Sequence, residues 1–245
     1  MKTHKTNFLD WNNKILTDSL KKIDLNFFLI IFLDMLFYIS TIFALAFWLK
    51  RANEKMASFD FSSISVQLLK DEMNFYFILL LSLVVLLIAI IFMASILNGI
   101  IWAKTTKTKV TLKLISKFLA LNLVWMGFWF ILIFVIAYIV QQEAVPYFIG
   151  ITALIGLYLS NNLYTIFMGK QAMKSIPYSL KLSFSKIHLF LLPYAVIFLL
   201  LFILIYLGNI IIFPYSPIIF GLLAVIYLGI ARYYASALAY EIEKI

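Results

Sequence analysis

Thirty consecutive residues, Asn74 to Ala103, carry no charged side chain. About 20 predominantly apolar residues cross a hydrocarbon core about 30 Å thick, where each backbone N–H and C=O must find its partner inside the protein. A helix meets that demand within one segment. Five other runs qualify, placing spans at about 25–49, 74–103, 114–140, 146–168, 187–213 and 217–239. None shows the alternation of barrel strands, which run about 9–11 residues with a period of two. The expected fold is all-α: a polytopic bundle of six transmembrane helices over residues 25–245, after an N-terminal segment of residues 1–24. The first run reads as a retained span, since some two dozen polar or amphipathic residues precede it.

Function classes fall away next. The chain is 64% hydrophobic and 13% charged, against about 25% charged in soluble domains. With no cysteine, a disulfide framework, thiol catalysis, Fe–S ligation and cysteine-based zinc sites are excluded. His4 and His188 are too few for a multi-histidine metal centre. No HExxH, GxSxG, P-loop or glycine-rich nucleotide fingerprint occurs. The expectation is a protein without catalytic activity, cofactor or metal. A net charge of +9 would point a soluble chain toward nucleic acid. Here the lysines flank apolar runs, so membrane lipids with anionic headgroups are the expected partner and nucleic acid is not.

The basic residues also orient the chain. The N-terminal segment, the second and fourth connections and the C-terminal end lie on one side, with 16 of the 20 lysines and arginines. Positively charged loops stay cytoplasmic. This predicts a multi-pass protein of the cell membrane with cytoplasmic N- and C-termini. Lys21, Lys22, Lys104, Lys107, Lys109, Lys113, Lys181 and Lys186 are the predicted headgroup contacts.

Each cytoplasmic segment before an odd-numbered span carries a similar triplet: Ser19-Leu20-Lys21, Thr111-Leu112-Lys113 and Ser179-Leu180-Lys181. The pattern predicts three copies of a basic elbow followed by a hairpin. In the first elbow, Phe8, Trp11, Ile15 and Ser19 recur at helical spacing beside Leu9, Leu16 and Leu20. An amphipathic helix is expected there, lying in the interface with its apolar side down. Trp48, Trp102, Tyr147 and Tyr215 fall near span ends, as in an aromatic belt. Trp125 and Trp129 lie deeper, as packing residues.

Ionisable groups at membrane depth are costly and face the bundle interior. At 1.5 Å per residue, Asp34 lies roughly 13 Å inside the first span and Arg232 roughly 10 Å from the same surface in the sixth. Matched depth and opposite charge predict an ion pair that brings the first and last spans together. Asn98, Asn122, Asn161 and Asn162 fall at similar depth, so the expectation is one intramembrane polar layer. It reads either as interhelical hydrogen-bonding glue or as a water-accessible cavity. On the sixth span Gly221, Gly229, Arg232 and Ser236 share a face that lets a neighbour approach.

Lysine-rich elbows opening Ser/Thr-Leu-Lys, six spans and buried small polar residues together resemble a group of uncharacterised six-span membrane proteins of archaea and bacteria. Some of those are related to the membrane domain attached to glycerophosphodiester phosphodiesterases. The resemblance implies the six-span fold. It brings no phosphodiesterase activity, since that soluble domain and its acidic metal site have no counterpart here. The chain is also similar in organisation to permease subunits of export-type ABC transporters, in which Lys104–Lys117 would correspond to the segment that couples to a separate ATPase. The expected function is a membrane accessory or lipid-interacting role, with transport as the alternative and any partner subunit unidentified.

Overall fold

The computed structural model describes residues 8–57, 66–211 and 215–245. Lys2, His4, Lys5, Phe213 and Pro214 lie outside them. The described residues form α1 (Phe8–Lys21), α2 (Asn26–Ala57), α3 (Val66–Thr105), α4 (Leu112–Ile139), α5 (Val145–Lys170), α6 (Ser175–Ser185), α7 (Ile187–Ile210) and α8 (Ser216–Glu243). Six of these, α2 to α5 with α7 and α8, are long and apolar enough to cross a membrane. Most of the helices overrun the predicted spans, most of all α3, which begins at Val66 rather than Asn74 and ends at Thr105, whereas α7 ends at Ile210, short of the predicted 213. Hydropathy marks where a helix enters lipid, not where its backbone stops hydrogen bonding.

Local chemistry sets several ends. Thr111 has an extended backbone, and its hydroxyl accepts the Leu114 N–H at 3.1 Å to cap α4. Pro146 and Pro217 sit in the first turns of α5 and α8, where no intrahelical N–H is required. Lys107 (φ 57°) and Gln171 (φ 48°) take left-handed conformations just beyond α3 and α5, a position usually given to glycine.

The spans pack as three hairpins, α2 with α3, α4 with α5 and α7 with α8. α5 and α8 are central: α5 touches α3, α4, α6 and α8, and α8 touches α1, α2, α3, α5 and α7. The hairpins repeat, but the elbows are built differently. Ser19-Leu20-Lys21 closes α1, Thr111-Leu112-Lys113 opens α4, and Ser179-Leu180-Lys181 lies in the middle of α6. A juxtamembrane lysine fixes which side a segment stays on; it does not specify a backbone.

Two elements depart from expectation. α1 does not simply rest on headgroups: Ile15 and Ser19 are buried, with Ile15 in a cluster with Phe190, Tyr234 and Leu238. Tyr234 donates its hydroxyl to Asn12 Oδ1. The adjacent stripe of Leu9, Leu16 and Leu20 is exposed, leaving one face for protein and another for lipid. α6 is a separate helix, and Ser175, Ser179 and Ser183 are fully buried along one of its sides. These small side chains bring α6 close against α5.

Burial concentrates at the lysine-rich end. The buried residues of α4 run from Leu114 to Trp125 and those of α7 from Phe190 to Ile197. In the other halves of the same helices, Ile131, Phe134 and Tyr138, and Phe202, Ile203 and Tyr206, are exposed. That end carries the core and every candidate site.

Candidate functional site

α2 and α8 meet at Asp34 and Arg232. Nη1 of Arg232 donates to Asp34 Oδ2 at 2.8 Å and Nη2 to Oδ1 at 3.0 Å, a bidentate pair with both side chains almost fully buried. The guanidinium also stands 5.7 Å from the ring centroid of Trp102 on α3. Trp102 is 2% exposed; its place at a span end suggested the aromatic belt, but it is the floor beneath the ion pair. Three residues before Arg232, Gly229 makes the approach possible, because a Cβ there would lie 3.1 Å from Phe27 Cε2. Gly221, assigned to the same face, has nothing within 4 Å of a Cβ and plays no part in it.

A second knot joins α5, α6 and α7. Asn162 donates to Ser183 Oγ at 2.9 Å, and Tyr158 donates to the Ser183 carbonyl at 2.8 Å. The Tyr194 hydroxyl stands 3.5 Å from Asn162 Oδ1, and its ring meets that of Tyr158 edge-on at 4.8 Å. Asn162 lies eight residues before the end of α5, roughly 12 Å along the helix, so α6 climbs alongside α5. Tyr158, Ser183 and Tyr194 were not anticipated. Their signal was the four-residue spacing of Tyr158 and Asn162, which places a hydroxyl and an amide on one face.

A third contact, Trp125 Nε1 to Ser160 Oγ at 2.8 Å, joins α4 to α5. Asn122 is fully buried beside it in sequence, with neither side-chain polar atom bonded. Asn98 is half-buried without a side-chain hydrogen bond among the described residues. Asn161 is half-buried, and its carbonyl accepts the Thr165 hydroxyl at 2.8 Å. The expected single layer is therefore three local networks, and among the described residues no hydrogen bond links them. The grooves beside them, about 350 Å³ between α5 and α7 and about 420 Å³ among α4, α5 and α6, have aliphatic and aromatic walls.

The lysines divide into two sets. Lys107 reaches Asp24 at 3.7 Å, tying the turn after α3 to the turn before α2. Lys117 donates to the Gln171 carbonyl at 3.0 Å. Lys170 pairs with Glu243 at 2.9 Å while its Nζ sits 3.0 Å from the Tyr178 ring centroid, clamping α5, α8 and α6 together. Lys21 pairs with Asp18 on its own helix at 3.7 Å, both exposed. Lys22, Lys104, Lys109, Lys113, Lys181 and Lys186 make no ion pair among the described residues. Burial pushes the Asp24 carboxyl up, but hydrogen bonds from Asn26 and the charge of Lys107 outweigh it, leaving its pKa below the usual value.

Six apolar membrane-crossing helices, closed by a buried ion pair between the first and last, define a multi-pass integral membrane protein. No family model, curated protein or solved structure matches the chain.

Proposed function

We propose that the protein is a lipid-interacting accessory protein of the cell membrane, with both termini cytoplasmic and no catalytic activity of its own. The observation that carries this reading is that six of the eight lysines expected to meet headgroups lack ion-pair partners among the described residues. An ammonium left unpaired is available to headgroup phosphates, each contributing about 1 kcal/mol near an anionic surface. The resolution of the polar layer into interhelical contacts supports packing glue over a cavity. The alternative, a permease subunit, draws less support. Its would-be coupling segment, Lys104–Lys117, is tied down at both Lys107 and Lys117.

Native mass spectrometry from mild detergent tests the lipid role. Replacing Lys109, Lys113 and Lys181 together with Gln is expected to reduce co-purifying anionic lipid; unchanged occupancy would leave these lysines as orientation signals alone. Orientation has its own test. A cysteine replacing Gln142 should react with an impermeant thiol reagent in intact cells, and one replacing Lys109 should react only after permeabilisation.

A further inference from the structure

At the lysine-rich end, four segments distant in sequence enclose a pocket of about 280 Å³. The turn after α1 supplies Lys22, the turn after α3 supplies Lys107, α5 supplies Thr165, and α8 supplies Tyr233, Ser236 and Tyr240. Two cations line it, and no carboxylate among the described residues does. Lys22 has no ion-pair partner among the described residues. The hydroxyls of Tyr233, Ser236 and Tyr240 likewise make no hydrogen bond among them. Tyr233 and Ser236 are buried residues, but their hydroxyl oxygens are not among the fully buried unbonded polar atoms, so they remain accessible from the pocket they line.

Lys107 adds a second indication. Its left-handed backbone (φ 57°) is one that glycine adopts freely and other residues adopt at a cost. Lys107 lines the pocket, and its ammonium has three N–H donors, so it can hold Asp24 at 3.7 Å and still present another to a second anion. The surroundings then point to the source of that anion. Leu25, three residues after Lys22, is 85% exposed, and Leu112, four after Thr108, is 91% exposed. Apolar side chains so open, close in sequence to pocket residues, suit contact with hydrocarbon, which points to a lipid rather than a free ion as the source.

We propose that this pocket binds the phosphate group of an anionic phospholipid, with the ammonium groups of Lys22 and Lys107 and the three free hydroxyls as donors. At about 280 Å³ the volume lies just under the usual range for small-molecule sites, about 300–1,000 Å³, which favours a small headgroup such as that of phosphatidic acid. The inference rests on the lipid-interacting reading above but is narrower: it assigns one site.

The test follows the thermal unfolding midpoint of the full chain in detergent during titration with phosphatidic acid, phosphatidylcholine or inorganic phosphate. Phosphatidic acid should raise the midpoint, and the other two should not at equal concentration. Lys22→Gln with Tyr240→Phe, both exposed and therefore harmless to the core, should require roughly fivefold more phosphatidic acid or beyond, the ratio expected for one lost lysine contact. Lys50→Gln with Arg51→Gln, exposed near the far end of α2, should titrate like the parent. An unshifted titration in the Lys22→Gln, Tyr240→Phe protein overturns the pocket, whereas the broader lipid-interacting reading stands or falls on the lipid occupancy of the Lys109, Lys113 and Lys181 replacement described above. An equal response to inorganic phosphate overturns the lipid source and assigns the site to the free ion.

Discussion

A carboxylate and a guanidinium at bonding distance inside a span relieve one another's desolvation, and neither is tolerable alone. Asp34→Asn and Arg232→Gln should each destabilise the protein in mixed micelles by about 3–5 kcal/mol, read by reversible detergent denaturation. The double variant should lose much less than the sum, because the penalty belongs to the orphaned charge. Gly229 is the steric counterpart of that pair. Gly229→Val should cost about 1–3 kcal/mol through overpacking, since its first added carbon already crowds Phe27 at 3.1 Å. Gly221→Val, with open space around it, should change stability by less than about 0.5 kcal/mol. The ion pair was legible in the sequence because depth follows from residue count and charge is explicit. The role of Trp102 was not. Distance from a span end says how deep a ring lies, but helical register decides whether it faces lipid or a neighbour, and register depends on partners the sequence does not name.

The connecting elements act as clasps. In the turn before α2, Asp24 Oδ1 accepts the Asn26 N–H at 3.0 Å, and the carboxylate meets Lys107 in the adjoining turn after α3. Its pKa is lowered in the folded protein, so the clasp contributes stability above the ordinary carboxylate range. That contribution is lost as pH falls through the lowered value. An unfolding series from about pH 6 to pH 3 should find Asp24→Asn less stable than the parent at the upper end, with the difference closing in acid. A constant difference would mean that the charge is not what holds the turn. α6 shows why such connections are hard to read in advance. Its sequence interleaves four serines and one lysine, Lys181, with apolar residues, a pattern equally suited to a surface elbow. Only the buried serine stripe and the register with Tyr158 and Asn162 reveal that it packs along α5. For α1, amphipathicity was legible, but not that Ile15 would meet protein while Leu16 faces outward. Two apolar stripes on one helix look alike until a partner covers one.

The whole bundle is tight at one end and open to lipid at the other, and α4 samples both regimes within one helix. Phe118 is fully buried against Tyr164 and Phe167, with ring centroids 5.0 and 5.6 Å away. Phe134, sixteen residues later, is 76% exposed. Hydropathy could not separate them, because lipid and core are equally apolar; the six spans were legible for that same reason, while their inward faces were not. The energetic consequence differs sharply. Truncating Phe118 leaves a void among packed rings and loses their dispersion contacts, a change that costs about 3–5 kcal/mol in a well-packed core. Truncating Phe134 exchanges protein–lipid contact for lipid–lipid contact, with no cavity, because acyl chains move into the space. Phe134→Ala should therefore shift unfolding in mixed micelles by less than about 0.5 kcal/mol, while Phe118→Ala should approach the cost of breaking the ion pair. Equal losses at the two sites would mean that the outer half packs against protein after all, either a second copy of the chain or another subunit, with the exposed face of α4 as the interface.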